Sequence, residues 1–155
     1  MLLKKMAILL IILIILIPFV WYRFFLPSRN LNTVSINLKG TDYTMEIAKT
    51  PGDQAKGLGG RTSLCPTCGM IFTFGFDTGL TFWMKDTLIP LDMIFLDHSG
   101  VVNTISTAQP EPGVPLTKLK LYASDKPSAY VIELNAGDAQ KLGLQVGDRI
   151  NIPKL

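Results

Sequence analysis

Two short segments of the sequence carry side chains that could take part in chemistry, and the first is Cys65-Pro66-Thr67-Cys68. Two thiols at this spacing can form a disulfide, a redox pair or half of a metal site. A redox pair normally opens a helix, whose N-terminus lowers the pKa of the first thiol, but here Gly69 and an apolar run follow. A zinc site needs about four ligands. We therefore predict a disulfide between Cys65 and Cys68, which can persist outside the cytoplasm, and keep redox exchange, a shared metal site and free thiols as alternatives.

The second segment is charged and lies between two apolar runs. Lys85 and Asp86 end the run that contains Trp83, and Asp92 stands just inside the next run. In one interpretation Lys85 and Asp92 form a local ion pair that fixes the connection. In the other, Arg61 and Lys85 donate hydrogen bonds to an anionic or hydroxyl-rich ligand, and Trp83 offers it an apolar face. Arg61, Trp83, Lys85, Asp86 and Asp92 are therefore the candidate ligand-binding residues.

The remaining polar residues form no recognisable catalytic or metal-binding pattern. The single histidine, His98, is predicted to be an exposed turn residue, and no serine stands in a Gly-x-Ser-x-Gly elbow. Two acidic pairs, Asp86 with Asp92 and Glu133 with Asp138, would act as general acid and base only if they faced each other across a cleft. Several large side chains could line an aromatic ligand site, although packing between neighbouring strands is the favoured explanation: Met70, Phe72, Phe74, Trp83, Met84 and Phe95. The sequence thus predicts no catalytic residue, no metal ligand and no cofactor.

The elements that must position these residues are mostly strands. Apolar residues alternate over 34–38 and again over 43–47, which predicts a hairpin, and Thr50-Pro51 is typical of a helix start. That helix should end at the glycines near residue 57. Further strands are predicted near 69–76, 91–97, 101–106, 128–134 and 149–152, with a second short helix over 136–142 capped by Asn135. About eight strands at hairpin-like spacing predict a mainly β (α+β) fold, with a small, mostly antiparallel, closed or barrel-like sheet and two short helices.

The N-terminal segment has the features of a transmembrane helix. Residues 6–22 carry no charge and span about 25 Å as a helix, and Lys4 and Lys5 precede them. The positive-inside rule then places the N-terminus in the cytoplasm. A cleaved signal peptide is one alternative, but it requires small residues at the exit, where this chain has Phe19-Val20-Trp21-Tyr22. A core helix is the other, but the run is too uniformly apolar to be one face of a soluble helix. We expect residues 1–26 to form an uncleaved, single-pass anchor in the cell membrane, 27–32 a linker and 33–155 an extracytoplasmic β-rich domain.

The charge of the chain argues against nucleic-acid binding. The formal net charge is +3, with 15 basic and 12 acidic residues. Lys4, Lys5 and Arg23 lie in the predicted anchor, which has no acidic residue, so 15 − 3 = 12 basic residues remain against 12 acidic ones. A surface that binds phosphates needs a basic excess on one face, and the total charge supplies none.

Several motifs together resemble one known family. They are Gly57-Leu58 with Arg61, Gly69-Met70-Ile71-Phe72, Phe82-Trp83-Met84-Lys85, Thr87-Leu88-Ile89-Pro90-Leu91-Asp92 and Val131-Ile132-Glu133-Leu134-Asn135-Ala136-Gly137. The sequence from about residue 34 to 152 resembles the family named domain of unknown function 192. The resemblance implies a small, β-rich, barrel-like domain, often exported or membrane-anchored, without an established activity. Asp86 replaces the asparagine that is common after the motif lysine, which changes the charge of the polar cluster.

The expected function is a membrane-anchored, extracytoplasmic binding or accessory module without catalysis, which recognises a small polar or envelope-derived ligand. One alternative is an enzyme that acts on an envelope component through Arg61, Lys85, Asp86 and Asp92. Another is a structural or protein-interaction module with an envelope protein as its partner. A concave pocket with converging polar groups would favour the ligand, whereas an exposed apolar patch or free sheet edge would favour a protein partner.

Overall fold

The computed structural model describes residues 31–155. The anchor predicted for residues 1–26, and residues 27–30 of the predicted linker, lie outside this range. Within the described range no helix is long and apolar enough to cross a bilayer.

The described chain is built mainly of strands, with two short α-helices and one 3₁₀ turn. In chain order the elements are β1 (Thr33–Leu38), β2 (Thr41–Ala48), α1 (Pro51–Lys56), β3 (Cys68–Thr78), β4 (Thr81–Phe82), β5 (Leu91–Leu96), β6 (Val102–Ala108), the 3₁₀ turn Leu116–Lys118, β7 (Tyr122–Ala123), β8 (Ser128–Asn135) and α2 (Asp138–Lys141).

The local predictions for the first third of the domain are confirmed. β1 and β2 form the predicted antiparallel hairpin. Thr50 is the N-cap of α1, where its hydroxyl oxygen accepts a hydrogen bond from the backbone N–H of Asp53 at 3.2 Å, and Pro51 occupies the first helical position.

The strand predicted for 149–152 is wrong, because only a single bridge between Val101 and Arg149 forms there.

Six strands form a mixed sheet in the order β1-β2-β3-β8-β5-β6. β2 and β3 run parallel, and every other neighbouring pair is antiparallel. The predicted closed, barrel-like sheet is therefore wrong, since β1 and β6 are the two edges of an open sheet. The physical reason lies in the central strands. Every residue of β5 is buried, so both faces of the sheet need a cover, whereas a closed small barrel buries mainly one.

Each face of the sheet carries its own apolar core, because successive side chains of a strand point to opposite faces. On the first face, here called the α2 face, Ile71, Ile94 and Ile132 pack with Ala139 of α2. On the other, here called the α1 face, alternate residues of the same strands pack against Leu58, which follows α1, and against the segment around β4. This second core contains Met70, Phe72, Met84, Leu91, Met93, Phe95, Tyr122 and Val131.

Candidate functional site

The connection from β4 to β5 crosses the α1 face as a tight turn. β4 is fixed by antiparallel pairing with β7, and Met84 is fully buried. The turn closes through a hydrogen bond from the N–H of Thr87 to the carbonyl of Met84 at 3.1 Å, with Asp86 in the left-handed region at φ 56°. This geometry leaves Trp83 and Lys85 at the edge of a cavity.

A backbone hydrogen bond joins this turn to the segment that follows α1. The N–H of Gly60 donates to the carbonyl of Asp86 at 2.7 Å. A β-carbon on Gly59 would lie 2.9 Å from the carbonyl oxygen of Lys56, which is too short for a real β-carbon, so the end of α1 requires a glycine at position 59. The same β-carbon would lie 3.6 Å from the carbonyl oxygen of Lys85, an ordinary van der Waals contact. The glycine run therefore joins two walls of the cavity, in addition to ending α1.

The cavity lies between α1 and the β4–β5 connection and has a volume of about 140 Å³. This is close to the volume of an engineered apolar protein cavity, about 150 Å³, that holds one benzene molecule. Its lining comes from α1, from the β4–β5 connection and from the sheet beneath them: Gln54, Ala55, Lys56, Gly57, Leu58, Phe72, Phe74, Thr81, Phe82, Trp83, Lys85, Thr87 and Glu133.

Aromatic rings make one wall of the cavity rigid. The ring of Phe82 makes edge-to-face contacts with Phe72, Phe74 and Phe95, with centroids 5.0, 6.2 and 5.7 Å away. Such contacts fix the ring orientations more firmly than area burial alone. Trp83 stands at the opening and is 44% exposed, whereas Phe72 is 1% exposed. The cavity thus has an apolar interior and an aromatic rim.

Glu133 brings a carboxyl group into this apolar interior. It lies in β8 between Met70 of β3 and Met93 of β5, and only 5% of its surface is exposed. None of the described residues donates a hydrogen bond to its carboxyl group or forms an ion pair with it. Burial raises the pKa of Glu133 from 4.5 to about 8. At neutral pH the group is therefore mainly an uncharged acid, which can donate one hydrogen bond into the cavity.

Two of the five candidate ligand-binding residues, Trp83 and Lys85, line this cavity. Arg61 lies on the same face of the sheet but outside the lining, and its guanidinium makes a two-pronged contact with Glu46, with both N–O distances 2.6 Å. The side-chain hydrogen bonds to Glu46 raise the pKa of Arg61. Asp86 points outward from the turn, and its carboxylate lies 4.0 Å from the ammonium group of Lys85.

Asp92, the fifth candidate, faces the other side of the sheet. It is 1% exposed and accepts hydrogen bonds from the hydroxyl of Thr107 at 2.7 Å and from the N–H groups of Gly137 and Ala139, both at 2.9 Å. The predicted ion pair between Lys85 and Asp92 is therefore wrong. Asp92 instead caps the N-terminus of α2, where Asn135 was expected to be the cap.

The second acidic pair named in the sequence analysis, Glu133 with Asp138, is also divided between the two faces of the sheet. Asp138 lies on the α2 face, where its carboxylate accepts from Lys141 at 3.0 Å and from the hydroxyl of Tyr43 at 3.4 Å. Glu133 opens onto the α1 face, so the two carboxyl groups do not share a cleft. His98 is exposed and contacts the carboxylate of Asp77, and this hydrogen bond raises the pKa of His98.

Cys65 and Cys68 form a disulfide, with their Cα atoms 5.1 Å apart. Cys68 is the first residue of β3, and the side-chain amide of Asn135 donates to the carbonyl of Cys65 at 3.1 Å. Neither cysteine belongs to the cavity lining. Across residues 31–155, no three His, Cys, Asp or Glu side chains are grouped so that they could hold a metal ion.

Sequence reasoning named Glu133 as half of an acidic pair and as part of a family motif, but missed its place in the cavity. A signal was present, however. Val131, Ile132 and Leu134 are apolar on both sides of the strand, so an acid among them must be buried unless the strand is at an edge. Such a carboxyl group, buried without a partner, is a common mark of a functional site.

The open mixed sheet, with a cavity against one face, defines a small mainly-β domain of the α+β type. The chain belongs to the DUF192 family, described as an uncharacterised ACR, whose family model matches residues 33–152. This confirms the resemblance found in the sequence. No curated protein matches the chain significantly.

Two solved structures are similar over most of the domain. One, from Sinorhizobium meliloti 1021, is provisionally described as a transcription regulator. Its sequence is 36% identical to this chain and its TM-score is 0.67, and the match covers 77% of this chain and 91% of that one. The other is a protein of unknown function from Novosphingobium aromaticivorans DSM 12444, 33% identical with a TM-score of 0.70, over 81% of this chain and 89% of that one.

Proposed function

We propose that this protein is a membrane-anchored, extracytoplasmic binding module that holds a small molecule in the cavity between α1 and the β4–β5 connection. The observation that carries the proposal is Glu133, a buried carboxyl group without a protein partner that opens into an aromatic-lined cavity. None of the fully buried side-chain N and O atoms of residues 31–155 lacks a hydrogen-bond partner, so the unpartnered carboxyl oxygens of Glu133 must be open to the cavity. A ligand in the cavity can therefore reach this group and accept a hydrogen bond from its protonated form.

Binding is favoured over the alternative of an envelope enzyme because the residues of that alternative do not converge. Arg61 forms an ion pair with Glu46, and the carboxylate of Asp92 accepts hydrogen bonds at the N-terminus of α2. Of the four residues assigned to that enzyme, only Lys85 lines the cavity. Much of the lining is aromatic, which suits positioning of a ligand more than proton transfer.

The cavity assignment is tested by blocking its rim. Ala55 is an exposed residue of α1 that lines the opening, so Ala55→Trp should fill the entrance without disturbing the core. Full-length protein in detergent is screened against a library of small molecules by ligand-observed NMR. Hits should lose binding in Ala55→Trp and keep it in the matched control Ala123→Trp, which places the same bulk on exposed β7 outside the lining. Equal binding in both variants would disprove the assignment.

The location of the domain is proposed from residues 1–26 and supported by the disulfide, which is typical of compartments outside the cytoplasm. The membrane is then one partner, through a single helix with a cytoplasmic N-terminus, and nucleic acid is not a partner. We expect full-length protein to resist extraction by salt and alkali, and deletion of residues 1–26 to release a soluble folded domain. A mature chain that begins after Tyr22 would show cleavage instead.

A protein-interaction module is the second candidate function, favoured by a shallow groove beside the β4–β5 connection. Leu88, Val114 and Leu116 line it and are 48%, 38% and 56% exposed. Leu88→Asp should abolish co-purification of an envelope protein if this groove is the functional surface. If the cavity is the functional site, the same variant should leave every hit of the NMR screen bound.

A further inference from the structure

The cavity has an ordered arrangement of groups from its floor to its rim. Glu133 and Phe72, at 5% and 1% exposure, form the floor. Trp83, at 44% exposure, stands at the rim. Lys85, whose side chain is 52% exposed, and Lys56, on the exposed side of α1, also line the opening. From floor to rim, a bound molecule is therefore in contact with a hydrogen-bonding acid, then with aromatic rings, and finally with two positive charges.

From this arrangement we infer that the ligand is a small, flat, singly charged anion with an uncharged hydrogen-bond acceptor at its inner end. Its acceptor would accept a hydrogen bond from the protonated Glu133 carboxyl group, its ring would lie against Phe72 and Phe82, and its anionic group would lie between Lys56 and Lys85. This inference rests on the proposed function and adds the chemical class of the ligand.

The opposite class, an ammonium ligand held by the aromatic rings, is the main competitor, since aromatic faces attract cations. Two observations argue against it. Lys56 and Lys85 repel a cation at the rim. Glu133 would also have to lose its proton before it could pair with an ammonium group in an apolar interior. Among the described residues, Lys56, Lys85 and Glu133 are the only ionisable groups that line the cavity. β3 and β5, the neighbours of Glu133 in the sheet, present the uncharged Met70, Phe72 and Met93.

The size of the cavity limits the ligand to about one six-membered ring with short substituents. The cavity volume of about 140 Å³ matches a benzene-sized body. The anionic group would lie beyond this space, in the open mouth between the lysines. The matched probes are therefore ring compounds of one size: 4-hydroxybenzoate, which has both features, then benzoate, phenol and 4-hydroxybenzylamine.

The test measures the dissociation constants of these four probes for full-length protein in detergent, by titration calorimetry or NMR. We expect 4-hydroxybenzoate to bind most tightly and the amine most weakly. Lys85→Met should weaken binding of the anion by about two- to fivefold and leave the affinity for phenol unchanged, as expected for a partly exposed charge. Thermal melting checks that the variant is folded. The exposed Lys154→Met, outside the lining, is the matched control and should change neither dissociation constant.

The pH dependence separates the two classes of ligand. The hydroxyl of 4-hydroxybenzoate can also donate to an ionised carboxylate, so the pH test uses 4-cyanobenzoate, whose nitrile only accepts. Such an acceptor needs protonated Glu133, so its affinity should fall about tenfold per pH unit once the pH exceeds the pKa of this group, which is about 8. Glu133→Gln keeps a donor that does not ionise, so its affinity for 4-cyanobenzoate should be flat over the same range. Glu133→Leu, with no donor, should bind 4-cyanobenzoate weakly at every pH.

Three results would overturn the inference: tightest binding of the amine, affinity for 4-cyanobenzoate that rises with pH, or no binding of any probe. In each case the proposed function is decided separately by the comparison of Ala55→Trp with Ala123→Trp against the unbiased library. If library hits are lost only in Ala55→Trp while these probes fail, the cavity is a ligand site for another chemical class. If no hit depends on the rim, the proposed function itself is wrong.

Discussion

Glu133 should make the stability of the domain fall as the pH rises from acidic to mildly basic. The sign follows from proton linkage. The folded state holds the Glu133 proton up to about pH 8, whereas the unfolded chain releases it near pH 4.5. Between these values the folded state binds more protons, so the free energy of unfolding decreases with pH. The stability contributed by the protonated acid is fully present below the unfolded pKa and is lost as the pH approaches the folded one.

The size of the effect follows from the separation of the two pKa values. Each unit corresponds to about 1.4 kcal/mol, so the separation from 4.5 to about 8 amounts to about 5 kcal/mol over the whole range. Between about pH 5 and pH 8, where urea titrations are practical, the expected loss from this one group is about 3–4 kcal/mol. This is a large part of the stability of a small domain, which is about 5–15 kcal/mol.

The assay compares the wild type with Glu133→Gln, because their difference removes the contribution of every other titrating group. Urea unfolding of the chain from residue 27 onward is followed by tryptophan fluorescence at constant ionic strength. Near pH 5 the two proteins should be about equally stable, and near pH 8 the variant should be the more stable by about 3–4 kcal/mol. Asp86→Asn, at an exposed position of the β4–β5 connection, is the control for loss of a carboxylate. A difference that stays constant with pH would refute the conclusion that Glu133 is buried without a partner.

Three further predictions concern residues outside the cavity. Asp92→Ala should lower the free energy of unfolding by about 2–4 kcal/mol because it leaves two backbone N–H groups at α2 without an acceptor. In the same urea titration Asp86→Asn should change it by less than about 0.5 kcal/mol, because Asp86 is exposed and asparagine tolerates its left-handed backbone. Arg61→Ala should cost about 1–2 kcal/mol through its contact with Glu46 and leave the dissociation constants of cavity ligands unchanged; a large loss of affinity would place Arg61 in the site after all. Replacing Cys65 and Cys68 by serine should preserve the circular dichroism spectrum and cost about 2 kcal/mol, and thiol titration of oxidised wild type should find no free thiol; two reactive thiols would contradict the pairing.

Features set by neighbouring residues were predictable from the sequence. The alternation in β1 and β2 and the Thr50-Pro51 start of α1 are local signals, and the structure contains both elements. The order of the strands is not local. β8 lies between β3 and β5, so the register of the sheet centre depends on residues far apart in the chain. The expected barrel failed for this reason, since hairpin spacing does not reveal that β2 and β3 pair in parallel.

The same distinction explains what was found and missed in the site. Trp83 and Lys85 were singled out because they lie two residues apart, where an apolar run meets a charged segment, and both line the cavity. The role of Asp92 depends on Gly137, which is 45 residues away in the chain, and no local pattern links the two. Glu133 meets α1 only because the sheet brings β8 under that helix.

The parallel pairing of β2 and β3 has a consequence for how this domain can diversify. A parallel pair requires a long crossover, and here the crossover, residues 49–67, carries α1 and the glycine run over the sheet. This crossover supplies five of the residues that line the cavity, Gln54 to Leu58, but it contributes no strand to the sheet. Insertions or exchanges in this one segment would reshape the mouth of the cavity while the sheet and the Glu133 floor stay in register. Recognition in this architecture is thus separable from folding, and the crossover is the natural unit to graft when a new ligand preference is wanted.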